Sequence, residues 1–139
     1  MINKVDLRDE NSFYELGLLI NEKFPKLFNL GDLLSSNLDY VFGYYDNEKL
    51  VGFIHINKLY ENIDIINIVV DKSYRRKGIA TQLINYVIDY FDDVKSIMLE
   101  VNVNNENAIN LYKVNKFEVI NVRKKYYGND DALIMRRDV

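Results

Sequence analysis

Val69-Val70-Asp71-Lys72-Ser73-Tyr74-Arg75-Arg76-Lys77-Gly78-Ile79-Ala80-Thr81 is the stretch on which the fold turns. Before it, Ile63 to Val70 is rich in β-branched residues and reads as a strand. After it, Ile79, Leu83, Tyr86, Val87, Tyr90 and Phe91 mark one face of a helix that runs to about Phe91. Ser96 to Val103 then alternates Ile97, Leu99, Val101 and Val103, which is the period of a strand. Strand, helix and strand in this order predict a crossover between parallel strands.

Upstream, Tyr40 to Tyr45 and Leu50 to Ile56 read as two strands joined by the turn Asp46-Asn47-Glu48-Lys49. Ser12-Phe13-Tyr14-Glu15 has the form of a capping box. Phe13, Leu16, Ile20 and Phe24 follow it at helical spacing, and Pro25 is expected to close that helix. Leu30 to Leu38 is a second, short helical segment. Downstream, Asn105 is placed to cap a helix carrying Ala108, Leu111 and Tyr112 on one side. Glu118 to Tyr127 and Ala132 to Arg137 then form a hairpin around Gly128-Asn129-Asp130-Asp131. With no repeat, low-complexity tract or linker, the expectation is one α/β domain over residues 1–139 with a mixed sheet.

Composition narrows the chemistry. The absence of cysteine removes disulfides, thiolate metal sites and a cysteine nucleophile together. One histidine, His55, leaves no histidine-rich metal site, so no metal is expected. His55 stands between Ile54 and Ile56 and is expected to face solvent or a neighbouring strand. A formal charge of −3 argues against a nucleic-acid partner. No apolar run has the length of a membrane span, and the first residues lack the apolar core of a signal peptide. The expected setting is cytoplasmic, as a monomer or weak dimer.

The opening stretch is also the richest in chemistry. The first amides of a helix have no partners within it, and the helix dipole adds partial positive charge there. Such a helix start suits a pyrophosphate. Gly78 and Ala80 let the backbone come close to a phosphate, and Arg75, Arg76 and Lys77 add charge to a chain that is otherwise acidic. Taken alone, the three basic residues equally describe a solvated turn. The spacing fits neither a P-loop nor a dinucleotide-binding glycine fingerprint.

Arg75-Arg76-Lys77-Gly78-Ile79-Ala80 resembles motif A, Arg/Gln-x-x-Gly-x-Gly/Ala, of the GNAT-type N-acetyltransferase superfamily. Leu99-Glu100-Val101, Asn105 to Tyr112 and Phe117 are similar to its motif B. Arg123-Lys124-Lys125-Tyr126-Tyr127, Asp131 to Met135 and the pair Phe24-Pro25 resemble the bacterial ribosomal-protein-alanine N-terminal acetyltransferases. There are departures. Lys116 stands where glycine is usual before Phe117, Lys26 replaces the tryptophan common after the proline, and Gly128 replaces a proline.

The resemblance implies a mostly antiparallel mixed sheet with a central parallel pair that splays at a bulge near Ile68, Val69 and Val70. It implies acetyl-coenzyme A as co-substrate and an amine acceptor. The backbones of Ile68, Val69 and Val70 and the turn Arg75, Arg76, Lys77, Gly78, Ile79, Ala80 and Thr81 would contact the coenzyme, with Asn105 and Tyr112. Glu100 would be the general base acting through water, and Tyr112 the acid toward the leaving thiolate. Phe24, Pro25, Tyr126 and Tyr127 would line the peptide groove, although adjacent Tyr126 and Tyr127 share a face only if their strand bends. At about pH 7.4 roughly 20% of an α-amine is neutral, against about 0.1% of a lysine, so an N-terminal amine is the easier nucleophile. A small-molecule amine, a lysine side chain, or a non-catalytic acyl-coenzyme A-binding module remain alternatives at this point.

Overall fold

The computed structural model describes residues 1–139. Its strands are β1 (Ile2–Lys4), β2 (Asp39–Asp46), β3 (Lys49–Leu59), β4 (Asn62–Val70), β5 (Ser96–Asn102), β6 (Glu118–Tyr127) and β7 (Asp130–Asp138). Its helices are α1 (Glu10–Leu18), α2 (Phe24–Leu27), α3 (Leu30–Ser35), α4 (Ile79–Tyr90) and α5 (Glu106–Val114). The strands form one sheet in the order β1-β2-β3-β4-β5-β7-β6. Every neighbouring pair is antiparallel except β4 and β5, which the α4 crossover makes parallel. The mixed α/β architecture expected from the sequence is the one observed.

The sheet separates two apolar layers. On one face Phe42, Ile54, Ile56, Ile63 and Ile65 pack with Leu83 and Val87 of α4 and with Ile109 and Tyr112 of α5. On the other, Val41, Phe53 and Val69 pack with Phe13 and Leu16 of α1, Phe24 of α2 and Leu30 of α3. Alternate strand residues point to opposite faces, so β2 and β3 feed both layers. The turn between them has left-handed backbone at Asn47 (φ 48°) and Glu48 (φ 72°), a two-residue hairpin whose twist matches the strands.

The first thirty residues differ from the sequence expectation. Ser12 and Glu15 do not cap α1. Asp6 starts the helical segment six residues earlier, accepting the Arg8 amide at 2.8 Å, while the Asp9 carboxylate accepts the Asp6 amide at 3.5 Å. Two carboxylates at this spacing make the reciprocal cap, which leaves Ser12 inside the helix. Nor does Pro25 close α1. It lies in the first turn of α2, where a missing N–H breaks no helical bond. α1 ends at Leu18, and Ile20, read as part of its apolar face, is exposed. The Phe24 ring lies directly on the α1 backbone at Gly17, where an added Cβ would come within 2.0 Å of a ring carbon. Phe13, Phe24 and Phe53 then meet with ring centroids 4.7 to 6.1 Å apart. β1, a three-residue edge strand paired with β2, has no sequence signal of its own.

Candidate active site

The site begins where β4 leaves β5. Parallel pairing covers only Asn62 with Ser96, Ile63 with Ile97 and Asp64 with Met98. Beyond these residues β5 continues against β7 alone, and β4 continues against β3 alone. A slot with backbone walls therefore opens between the two strands. The irregularity that produces it sits at Ile66, slightly before the expected position. Ile56 pairs with Ile65 and His55 with Asn67, so Ile66 is the additional residue. The extra residue reverses the alternation of faces. Ile68 and Val70 pack toward α4, and Val69 packs toward α1.

The slot leads to the turn before α4. Asp71 caps a short helical turn by accepting the Ser73 amide at 2.9 Å and the Ser73 hydroxyl at 2.8 Å. The Arg75 Nε donates to the Val70 carbonyl at 3.2 Å and ties the turn to the end of β4. Arg76 (φ 62°) and Gly78 (φ 76°) are both left-handed. Gly78 is the N-cap of α4 and supplies no side-chain acceptor, so the amides that follow it at Ile79, Ala80 and Thr81 are left for another partner. A Cβ at Gly78 would meet nothing within 4 Å, so the approach to these amides is open. Arg75, Arg76 and Lys77 are exposed around it. Carboxylates are absent from this run, and the group it fits is an anion such as a diphosphate.

Asn115 joins the two helices at this end and was not anticipated. Its buried amide donates to Thr81 Oγ1 at 3.1 Å and to the Leu111 carbonyl at 2.9 Å. Its only sequence signal is an asparagine just past a helix. Asn105 does cap α5, accepting the Ala108 amide at 3.2 Å.

Glu100 lies on β5 on the face away from Leu99 and Val101, exposed, with Oε1 3.0 Å from Arg123 Nη2 on β6. The Arg123 guanidinium stands 4.8 Å from the Tyr126 ring centroid. β6 bulges between Arg123 and Tyr127, with Lys125 left-handed (φ 54°) and its amide donating to Asp131 at 2.9 Å. The bend brings the Tyr126 and Tyr127 rings to 5.0 Å, edge to face. Burial, then the charges of Glu100 and Tyr126, push the Tyr127 phenol above its ordinary pKa, and Arg123 opposes them. Tyr112 is 7% exposed, and burial, with a smaller contribution from Tyr127, pushes its phenol up to about 12. Tyr127 is thus the residue of this neighbourhood that feels the charge of Glu100 and also acts on the buried Tyr112.

Phe24 does not reach this neighbourhood. It is fully buried in the layer beneath α1, because its ring fills the space that Gly17 leaves, and of the pair only Pro25 is exposed. His55 is likewise not at the surface. It is 2% exposed and bonded to Asp39 and Asn67. No group of three or more His, Asp or Glu is placed to hold a metal ion.

The model of the acetyltransferase (GNAT) family matches residues 6–117. This chain belongs to that family. Among its relatives, the ribosomal protein bS18-alanine N-acetyltransferase of Escherichia coli strain K12 is 33% identical over 95 residues. That match covers 64% of this GNAT chain and 64% of the relative, so it spans less than two thirds of the relative's length. An N-alpha-acetyltransferase of Saccharolobus solfataricus is 33% identical over 138 residues, covering 86% of this chain and 81% of its own. The crystal structure of the ribosomal-protein-S18-alanine N-acetyltransferase from Escherichia coli superposes with a TM-score of 0.83 at 25% identity. It covers 100% of this chain and 93% of that one.

Proposed function

We propose that this GNAT protein transfers an acetyl group from acetyl-coenzyme A to the α-amine of a protein or peptide N-terminus. The observation that carries the reading is the β4–β5 slot, one wall of which leads to the free amides after Gly78 and the other of which carries Glu100. Open space at Gly78 and exposed Arg75, Arg76 and Lys77 fit the diphosphate of the coenzyme, and the slot fits its extended arm. When bound there, the coenzyme supplies an acetyl thioester. The names of the relatives support an N-terminal amine as acceptor.

Glu100 receives the proton that the attacking amine loses, through a water molecule, since it stands on the solvent-facing side of β5. Arg123 holds that carboxylate in place. Tyr112 remains protonated through neutral pH because burial raises its phenol to about 12, and it donates to the sulfur as the C–S bond breaks. The nitrogen loses one proton and gains the acyl bond, and the thiolate leaves as a thiol. Tyr126 and Tyr127, brought together by the β6 bulge, are placed to hold the first residues of the acceptor.

The test is a panel of short peptides differing in their first residue, assayed for coenzyme A release beside polyamines and free amino acids. Peptides with free, unmodified N-termini are expected to be acetylated, and the same peptides with blocked termini are not. Turnover confined to small amines would overturn the peptide acceptor and leave acetyl transfer standing.

A further inference from the structure

β4 reads Ile65-Ile66-Asn67-Ile68-Val69-Val70 through the bulge. Five of these six residues are β-branched and apolar, and they can face either layer at similar cost. A one-residue slip that removed the bulge would therefore meet little resistance from hydrophobic pattern. Asn67 is the exception. In the observed register it stands opposite His55 and is 7% exposed, with its side-chain amide donating to His55 Nδ1 at 3.2 Å. The other ring nitrogen, Nε2, donates in turn to the Asp39 carboxylate at 2.8 Å. Three polar side chains on β4, β3 and β2 thus form a transverse chain among Phe28, Phe53 and Val69. If β4 slipped, Asn67 would turn into the layer beneath α4. Buried groups on both sides would then lose their partners, at a cost far above that of any isoleucine changing face.

We infer that Asp39, His55 and Asn67 are a register lock that keeps β4 bulged at Ile66, and hence the slot between β4 and β5 open. They are positioning residues. Their link to coenzyme binding rests on the function proposed above, whereas their effect on strand register does not. Buried polar groups used to select one register over another are a known specificity device, and here the alternative register is the continued parallel pairing that ends after Asp64 and Met98.

The double variant His55→Leu/Asn67→Val removes both members of the buried bond, while Asp39, which is part exposed, keeps Asn57 and solvent as partners, so the cost in stability is modest. With the slip released, amide hydrogen exchange over residues 65–70 is expected to slow as β4 pairs with β5. Acetyl-coenzyme A titrated into the same protein is expected to bind about tenfold more weakly. His55→Gln retains one acceptor and one donor and is expected to preserve both readouts. A purely structural role would lower the melting temperature and leave the exchange pattern of the folded protein unchanged, and that result overturns the lock. Should the double variant not fold, Asn67→Ser, whose hydroxyl falls short of His55, is read in the same way. Wild-type protein that fails to bind the coenzyme while exchange still responds to the variants would support the lock and sink the proposed function.

Discussion

The turn from β4 into α4 holds its shape through bonds and backbone conformations within its own few residues, whereas the surface around Glu100 is assembled from side chains on β5 and β6. At the turn, two left-handed residues and one cap act within a few positions of each other. At Glu100 the parts come from residues 100, 123, 126 and 127, and the bulge in β6 decides which of them meet. The first kind of region is carried by a short motif. The second depends on register, and register is set by distant packing.

Glu100→Gln is the sharpest way to separate the two regions. It is expected to lower kcat by about 10²- to 10⁴-fold. The dissociation constant for acetyl-coenzyme A should stay at the wild-type value by calorimetry. Loss of binding in this variant would show that the turn and the Glu100 surface are one unit and break the comparison.

Tyr112 sharpens it through pH. Its phenol is held up to about 12 in the fold against an ordinary 10, so the native state keeps the proton that the unfolded chain releases first. That contribution is complete below pH 10 and is lost as pH rises toward about 12, amounting to roughly 2–3 kcal/mol. Urea midpoints measured at pH 9 and pH 11 are expected to fall less in Tyr112→Phe than in the wild type. The same variant should slow turnover without weakening the coenzyme.

Gly17 tests the α1–α2 side, where side-chain fit and not backbone conformation decides. Gly17→Ala pushes a methyl group into the Phe24 ring and is expected to cost about 1–3 kcal/mol, read from chemical denaturation. Lys116 gives the smallest effect, and in the opposite direction. It holds a left-handed backbone (φ 70°) just after α5, at the position where the resemblance calls for glycine. Lys116→Gly is expected to stabilise the protein by roughly 1 kcal/mol, because the left-handed penalty of a side chain disappears.

Much of this architecture was legible in the chain itself. The βαβ crossover, the Asp46 to Lys49 hairpin and the Asn105 cap appear where periodicity and turn chemistry placed them. The candidate site was less evenly legible. Glu100 on the outward face of β5 follows from alternation, but its partner Arg123 does not, because the pairing crosses β7. Tyr126 and Tyr127 stand together because β6 bulges at Lys125, which nothing in that lysine-rich run announces. His55 lay between two isoleucines, with solvent or a neighbouring strand as the two expectations, and it is the neighbouring strands that hold it, through Asp39 on β2 and Asn67 on β4. Ser12 lost the cap to Asp6, since two local signals six residues apart are decided by where Phe13 and Leu16 must pack.

By itself the sequence determined the strands β2 to β7 and the helices α4 and α5, that β4 and β5 run parallel, and that a glycine begins α4. These follow from steric and hydrogen-bonding preferences that act over a few residues. Only the tertiary structure decided that β4 bulges at Ile66, that Phe24 is core and Pro25 surface, and which charge answers Glu100. A strand's register and a ring's burial are set by partners dozens of residues away, and the energies that choose among them are shared across the whole sheet.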